Sequence, residues 1–166
     1  MRLGTVEHKK EIKVIVLIEN DTFLDVAKAA AQASITDFDF TDMQRLIEQG
    51  ENALEKVSFL LDQSNDSCFI ASDEVVFCPP IIPLQYRAFS IFEEHLKNAF
   101  AQATKLSGIK YEIPPVWYEQ PIYYKGNRLS FVGHKAEIDW PSFSEFLDLE
   151  LEIAAIIGKK GRDIKE

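Results

Sequence analysis

The first eighty residues change their hydrophobic period twice. Met1–Val6 alternates, Lys9-Lys10 marks a turn, and Glu11–Ile18 (Glu-Ile-Lys-Val-Ile-Val-Leu-Ile) is rich in β-branched residues. Strand side chains repeat every two residues and β-branched groups suit a pleated backbone, so both stretches predict strands. A turn at Asn20-Asp21 should bring the chain back through Thr22–Leu24 as a hairpin. The period then becomes helical. Asp25–Ala33 is alanine-rich. Thr41 or Asp42 offers a cap for a helix running to about Gln49 and stopped by Gly50, and Glu51–Leu61 follows as another helix. Gln63–Ser67 is polar and loop-like. Cys68–Ile70 and Glu74–Phe77 then predict a hairpin around Ser72-Asp73.

Pro79-Pro80-Ile81-Ile82-Pro83 interrupts the pattern and is the expected boundary between a domain at 1–78 and a second at 79–166. Beyond it, Phe89, Phe92, Leu96, Ala99, Phe100 and Ala103 recur at helical spacing and predict a helix over Ala88–Leu106. Lys110 to Asn127 is extended in character, dense in Pro and Tyr, and closes at Gly126-Asn127, with a short strand expected at Leu129–Val132. Pro141–Glu145 leads into Leu147-Asp148-Leu149-Glu150-Leu151-Glu152-Ile153, where apolar and acidic residues alternate without a break. As a strand, this segment would place Asp148, Glu150 and Glu152 on one face about 7 Å apart, with the apolar residues on the other. A helix would scatter the same carboxylates. The strand is expected to continue through Ala154–Ile157 to Gly158. An apolar sheet edge left unpaired is something soluble domains avoid, so its neighbours are expected from a C-terminal continuation or from another subunit.

Composition narrows the function classes. The 166 residues are 46% hydrophobic, with 12 Phe, which is ample for a packed core. Eighteen basic against 27 acidic residues give a formal charge of −9. The basic runs, His8-Lys9-Lys10 and Lys159-Lys160-Gly161-Arg162, are short and read as solvated turns. Nucleic acid and anionic membranes are therefore not expected partners, since both need clustered Lys and Arg. Neither a signal peptide nor a membrane span is read in the chain. Cys68 and Cys78 read as free thiols in a reducing compartment, although a disulfide is left open by the pattern alone. The expected setting is cytoplasmic.

Three groups of residues carry candidate chemistry. The acidic face of 147–153 is either a solvated outer face or a site for a hard cation, because Mg²⁺, Mn²⁺ and Ca²⁺ prefer oxygen ligands. His95 borders the apolar face of the long helix. It is either a helix histidine held by a neighbouring acid such as Glu94, or a general base with a titration range suited to proton abstraction. The run Trp117-Tyr118-Glu119-Gln120-Pro121-Ile122-Tyr123-Tyr124 is either hairpin packing or a pocket wall. His8 and His134 sit in expected turns and are given no role.

In order along the chain, these blocks resemble the fumarylacetoacetate hydrolase family. Tyr86-Arg87-Ala88-Phe89-Ser90-Ile91-Phe92-Glu93-Glu94-His95 is similar to its Arg-Asp-Phe-x-x-Phe-Glu-x-His helix. Trp117–Pro121 with Tyr123–Asn127 is similar to its following aromatic strand. Leu147–Ala154 with Ile157-Gly158-Lys159 and Gly161-Arg162 is similar to its metal-binding strand. The resemblance covers about Pro79 to Ile164; the first part is more loosely similar to the family's small N-terminal domain. It implies an α+β protein: a small N-terminal α+β domain, then the first, incomplete part of a catalytic domain built as a β-rich mixed sandwich or roll. It also implies a metal-dependent hydrolase or lyase acting on small diketo or oxo acids, usually dimeric. By the same resemblance, Glu150 and Glu152 are metal ligands for Mg²⁺ or Mn²⁺ (Ca²⁺ possible), His95 activates water, and Tyr123 and Tyr124 line the substrate pocket. Asp148 stands behind the ligands or is structural.

The chain departs from the family in two places: the continuation in which the family keeps another acidic ligand and further substrate-contacting residues is missing, and one helix ligand is replaced. Where the family's helix carries an aspartate ligand seven residues before the histidine, this chain has Ala88. On one helix the two positions would share a face about 10 Å apart along the axis, and a methyl group coordinates nothing. Two partner expectations follow: a homodimer, or pairing with a chain that carries the missing C-terminal part. The alternative function is a non-catalytic binding or assembly subunit that keeps the fold.

Overall fold

The computed structural model describes residues 1–19 and 21–165. Asn20 and Glu166 lie outside the described residues, and with Asn20 goes part of the expected Asn20-Asp21 turn. The chain divides into two compact units, residues 1–81 with 132–166, and residues 82–131.

The first unit is an antiparallel sheet packed on helices. β1 (Leu3–His8) and β2 (Glu11–Leu17) form a hairpin in which His8 faces Glu11 across a two-residue turn. Lys9 and Lys10 both take positive φ in that turn, 51° and 68°. Two successive left-handed residues give the backbone twist that a tight hairpin needs, and a side chain makes that conformation costly. β3 (Thr22–Asp25) pairs with β2, β4 (Phe69–Ala71) pairs with β3, and β5 (Val76–Phe77) pairs with β1, so the order is β4-β3-β2-β1-β5. The hairpin expected around Ser72-Asp73 therefore does not form. A 3₁₀ turn at Ser72–Glu74 carries the chain away, and the two strands add to opposite edges of the sheet. Both edges offer backbone hydrogen bonds to strands with apolar partners, whereas a two-strand ribbon alone is marginal in water.

Three helices cover one face: α1 (Val26–Gln32), α2 (Met43–Gln49) and α3 (Glu51–Gln63). Of the two residues able to cap α2, Asp42 takes the role, accepting from the Arg45 amide at 3.1 Å. Thr41 turns back to Asp39 instead. Gly50, at φ 70°, ends α2 and opens α3, a backbone conformation that glycine adopts without steric cost. Val14, Val16 and Leu24 point to the helices and pack with Val26, Ala30, Phe40, Met43, Leu46, Ala53, Val57 and Leu60. The other face holds a smaller cluster of Val6, Ile15 and Phe23, with Phe77 edge-on to Phe23 and to His134. Cys68 is buried, Cys78 is partly so, and both are free thiols.

The second unit contains β6 (Ala88–Phe89), α4 (Glu93–Ser107), α5 (Val116–Glu119) and β7 (Tyr123–Tyr124), with β6 antiparallel to β7. Several expectations change here. The long helix starts at Glu93, not Ala88, because Ala88 and Phe89 give their backbone to the β6–β7 ladder. The aromatic segment at 117–119 is a helical turn, not a strand. Pro115 precedes it at φ −52°, the angle that favours helix initiation. Arg128–Ser130 is a 3₁₀ turn where a strand was expected from Leu129.

Residues 147–157 belong to the first unit and form no strand. Leu149, Leu151 and Ile153 are 92%, 103% and 101% exposed. Alternation can encode two faces, but a strand also needs a neighbour to take its N–H and C=O groups, and none is paired with this segment among the described residues. The protein is thus α+β, with its sheet in the N-terminal part. Among the described residues beyond Pro79, regular strands amount to β6 and β7.

Candidate functional site

His95 is the third residue of α4, in its first turn. Phe92 stands at the N-cap and has no group to bond the helix's free amides. Glu93 and Glu94 occupy the first turn, where carboxylates complement the helix dipole, and Lys105 sits in the last. Gly108, at φ 72°, closes the helix by donating its amide to Thr104 O at 2.9 Å. The His95 side chain is exposed, not aligned with an apolar face that is packed away.

The segment leading into α4 is pinned on both sides. Ser90 donates its amide to Ile122 O at 3.1 Å and accepts from the Trp117 indole Nε1 at 2.7 Å. Tyr118 Oη donates to Glu93 Oε1 at 2.7 Å, and Lys97 Nζ lies 3.0 Å from the same oxygen. The Tyr118 hydrogen bond, then that of Lys97, holds the Glu93 carboxyl below the usual glutamate range, and the same bond raises the Tyr118 hydroxyl above the ordinary tyrosine value. In the sequence, Trp117 and Tyr118 read as hairpin packing or pocket wall and, by the resemblance, as part of an aromatic strand, with no link to Ser90 or Glu93. The i, i+4 spacing of Glu93 and Lys97 was the one visible signal.

Tyr123 and Tyr124, the expected pocket residues, lie in β7, opposite Phe89 and Ala88 respectively. The Tyr123 ring packs against Phe89 at 5.4 Å, and the Arg87 guanidinium sits 5.1 Å from its centroid. Tyr124 is more exposed. Nearby, a Cβ on Gly126 would fall 2.2 Å from the Tyr86 ring, so only glycine permits this approach. Beside α4, Lys97, Phe100, Tyr111, Glu112 and Tyr118 border a shallow hollow of about 440 Å³.

The structure alters the meaning of Ala88. It is a strand residue paired with Tyr124, so it does not share a helix with His95. Ser90–Phe92 links β6 to α4, so no two-turn helical spacing relates Ala88 to His95. Glu150 and Glu152 sit on the segment that forms no strand, in the other unit. Among the described residues, no group of three or more His, Cys, Asp or Glu side chains could hold a metal ion. The alanine side chain at 88 offers no oxygen to a cation.

A second polar concavity belongs to the first unit. A cleft of about 480 Å³ is bordered by His8, Glu11, Lys13, Asp25, Lys28 and Glu74 among others. Asp25 is buried, accepts from the Lys28 amide at 3.0 Å as the cap of α1, and pairs with Lys13 Nζ at 2.9 Å. Burial opposes the Lys13 charge, but the bonds and charges of Asp25 and Glu11 outweigh it and raise the ammonium pKa above the ordinary lysine value.

Comparison with known proteins addresses the second part of the chain most directly. The model of the fumarylacetoacetate hydrolase C-terminal domain matches residues 86–166. Over residues 86–166 the sequence is that of the fumarylacetoacetate hydrolase family. Divalent metals are common among that family's enzymes. A Xenopus laevis relative, oxaloacetate tautomerase fahd2, mitochondrial, is 28% identical over 124 residues, which is 75% of this chain. The match covers 34% of the relative, so this chain spans about a third of its length. Among the described residues no helix is long and apolar enough to cross a membrane.

Proposed function

We propose that this chain provides the N-terminal domain (1–78) and the first part of the catalytic domain (79–166) of a fumarylacetoacetate hydrolase-like protein acting on a small, enolisable oxo acid. His95 is the proton acceptor. The observation that carries this reading is the family match across 86–166, which takes in His95 on the first turn of α4 together with the aromatic β7. An imidazole can take a proton from the carbon beside a ketone or from water near neutrality, and it need not be buried to do so. Oxaloacetate is the first substrate to try, because the relative is named for acting on it. Tyr123 and Tyr124 would supply the wall against which the acid lies.

Glu150 and Glu152 are the carboxylates that this chain would contribute to an Mg²⁺ or Mn²⁺ centre. The remaining ligands would come from a second copy or from a chain carrying the rest of the domain. A cytoplasmic setting, where Cys68 and Cys78 would stay reduced, goes with this reading. A second reading, a non-catalytic binding or assembly subunit, draws on Ala88 and on the exposed apolar side chains of 147–157.

Exchange of the oxaloacetate methylene protons with D₂O, followed by NMR with and without Mg²⁺ or Mn²⁺, separates the two. The catalytic reading expects acceleration over buffer that His95→Gln lowers about a hundredfold. Exchange no faster than buffer under all conditions would leave the assembly reading.

A further inference from the structure

We infer that Trp117 and Tyr118 are positioning residues for His95: from α5 they clamp the Ser90–Glu93 lead-in of α4 and so set where the imidazole stands. This rests on the reading of His95 as the proton acceptor.

An uncapped helix frays at its first turn, because four amides there lack partners. α4 has no side-chain cap, yet the residue that matters is its third. Besides the Leu96 amide bond to Phe92 and the Lys97–Glu93 pair, what holds the turn comes from outside the helix. Ser90 is fixed through both its amide, to Ile122, and its carbonyl, from the Trp117 indole. Two residues after Ile91, Glu93 receives Tyr118 Oη and Lys97 Nζ on the same oxygen. Neighbouring aromatic rings can reach two different targets because they stand at 85° to each other, 4.9 Å between centroids. Pro115 sets the start of α5, so the aromatic pair is presented from a preset backbone. The directions in which the Glu93 and Tyr118 titrations are displaced agree with a bond between them.

The role is one of orientation more than of bulk stability. Neither Trp117 nor Tyr118 is buried, and α4 itself contains no buried residue. Solvated hydrogen bonds contribute little to folding, whereas a small misplacement of a reacting group costs rate steeply. Between Ser90 and Glu93 the clamp therefore acts on the part of the chain whose small movements would displace the imidazole.

The test is the imidazole Cε1–H spectrum of the whole chain, with His8, His95 and His134 assigned by single His→Gln substitutions. Tyr118→Phe and Trp117→Phe are each expected to shift or broaden the His95 resonance and to leave those of His8 and His134 in place. Glu93→Ala should do the same. Glu93→Gln still accepts from Tyr118 and should keep the His95 resonance close to that of the unsubstituted protein. A His95 resonance unmoved in both aromatic variants overturns the inference, as does Glu93→Gln behaving like Glu93→Ala. Where methylene exchange is active, Tyr118→Phe should lower kcat about tenfold with KM unchanged. Inactive wild-type protein would sink the functional reading while the resonances still decide the clamp.

Discussion

Two helices of this protein carry the same kind of sequence and meet different fates. α3 (Glu51–Gln63) and α4 (Glu93–Ser107) both place apolar residues at helical spacing on one side. α3 buries Ala53, Val57 and Leu60 in the core of the first unit, whereas α4 buries none of its residues. The difference lies in the partner. The first unit offers α3 a shared core of Val14, Val16 and Leu24 from the sheet with Val26, Ala30 and Leu46 from α1 and α2, while the unit that holds α4 offers two strands of two residues each. An amphipathic stripe specifies which side of a helix will be buried if a surface is available, and it does not create the surface.

This contrast can be broken most directly by truncating equivalent side chains. Leu60→Ala should destabilise the first unit by about 3 kcal/mol, measured as a shift of the urea midpoint, since it opens a cavity in a closed core. Leu96→Ala in α4 should cost less than about 1 kcal/mol. Equal losses would mean that α4 has a buried partner after all.

The next largest effect tests whether the first unit also depends on a polar anchor. Lys13→Ala leaves the buried Asp25 carboxylate without its ammonium and should cost about 2 kcal/mol, less than a fully enclosed pair because Lys13 keeps 20% of its side-chain surface. The sign of the pH dependence follows from the raised pKa. Lys13 binds its proton more tightly folded than unfolded, so its contribution is complete below the ordinary lysine value of 10.5 and is lost as pH rises through the higher folded value. Thermal melts from pH 9 to 12 should show a steeper alkaline loss in the parent protein than in Lys13→Met. Parallel curves would show that the ion pair adds nothing.

The smallest effect sharpens the comparison from the backbone side. Replacing Lys9-Lys10 by Asn-Gly keeps both positive φ angles with residues that accept them, and should stabilise the hairpin by about 1 kcal/mol. A lower melting temperature would mean that the lysine side chains contribute something that the turn geometry does not reveal.

Local signals carried much of the N-terminal part. The run Glu-Ile-Lys-Val-Ile-Val-Leu-Ile, the Asp42 cap and the Gly50 stop each report a neighbour no more than four residues away, and each appears where the pattern puts it. Asp25 was legible as a helix start, but its bond to Lys13 was not, because that bond joins two strands whose register only the sheet defines. The turn signal at Ser72-Asp73 points to the wrong partner for the same reason. Turn residues say that the chain changes direction, and not which strand it meets next.

In the second part, the sequence by itself determined the family and the residue types available for chemistry: His95, Glu150 and Glu152, with alanine at 88. Tertiary structure decided what those residues face. Ladder bonds between Ala88–Phe89 and Tyr123–Tyr124 moved the start of α4 to Glu93 and took Ala88 off the helix. The Ser90, Trp117, Glu93 and Tyr118 contacts join positions some 25 residues apart that no local period connects. The acidic alternation of 147–153 stayed a pattern without a strand. Period records the faces that a segment would have, while hydrogen-bond partners and apolar surface must be supplied by something else in space.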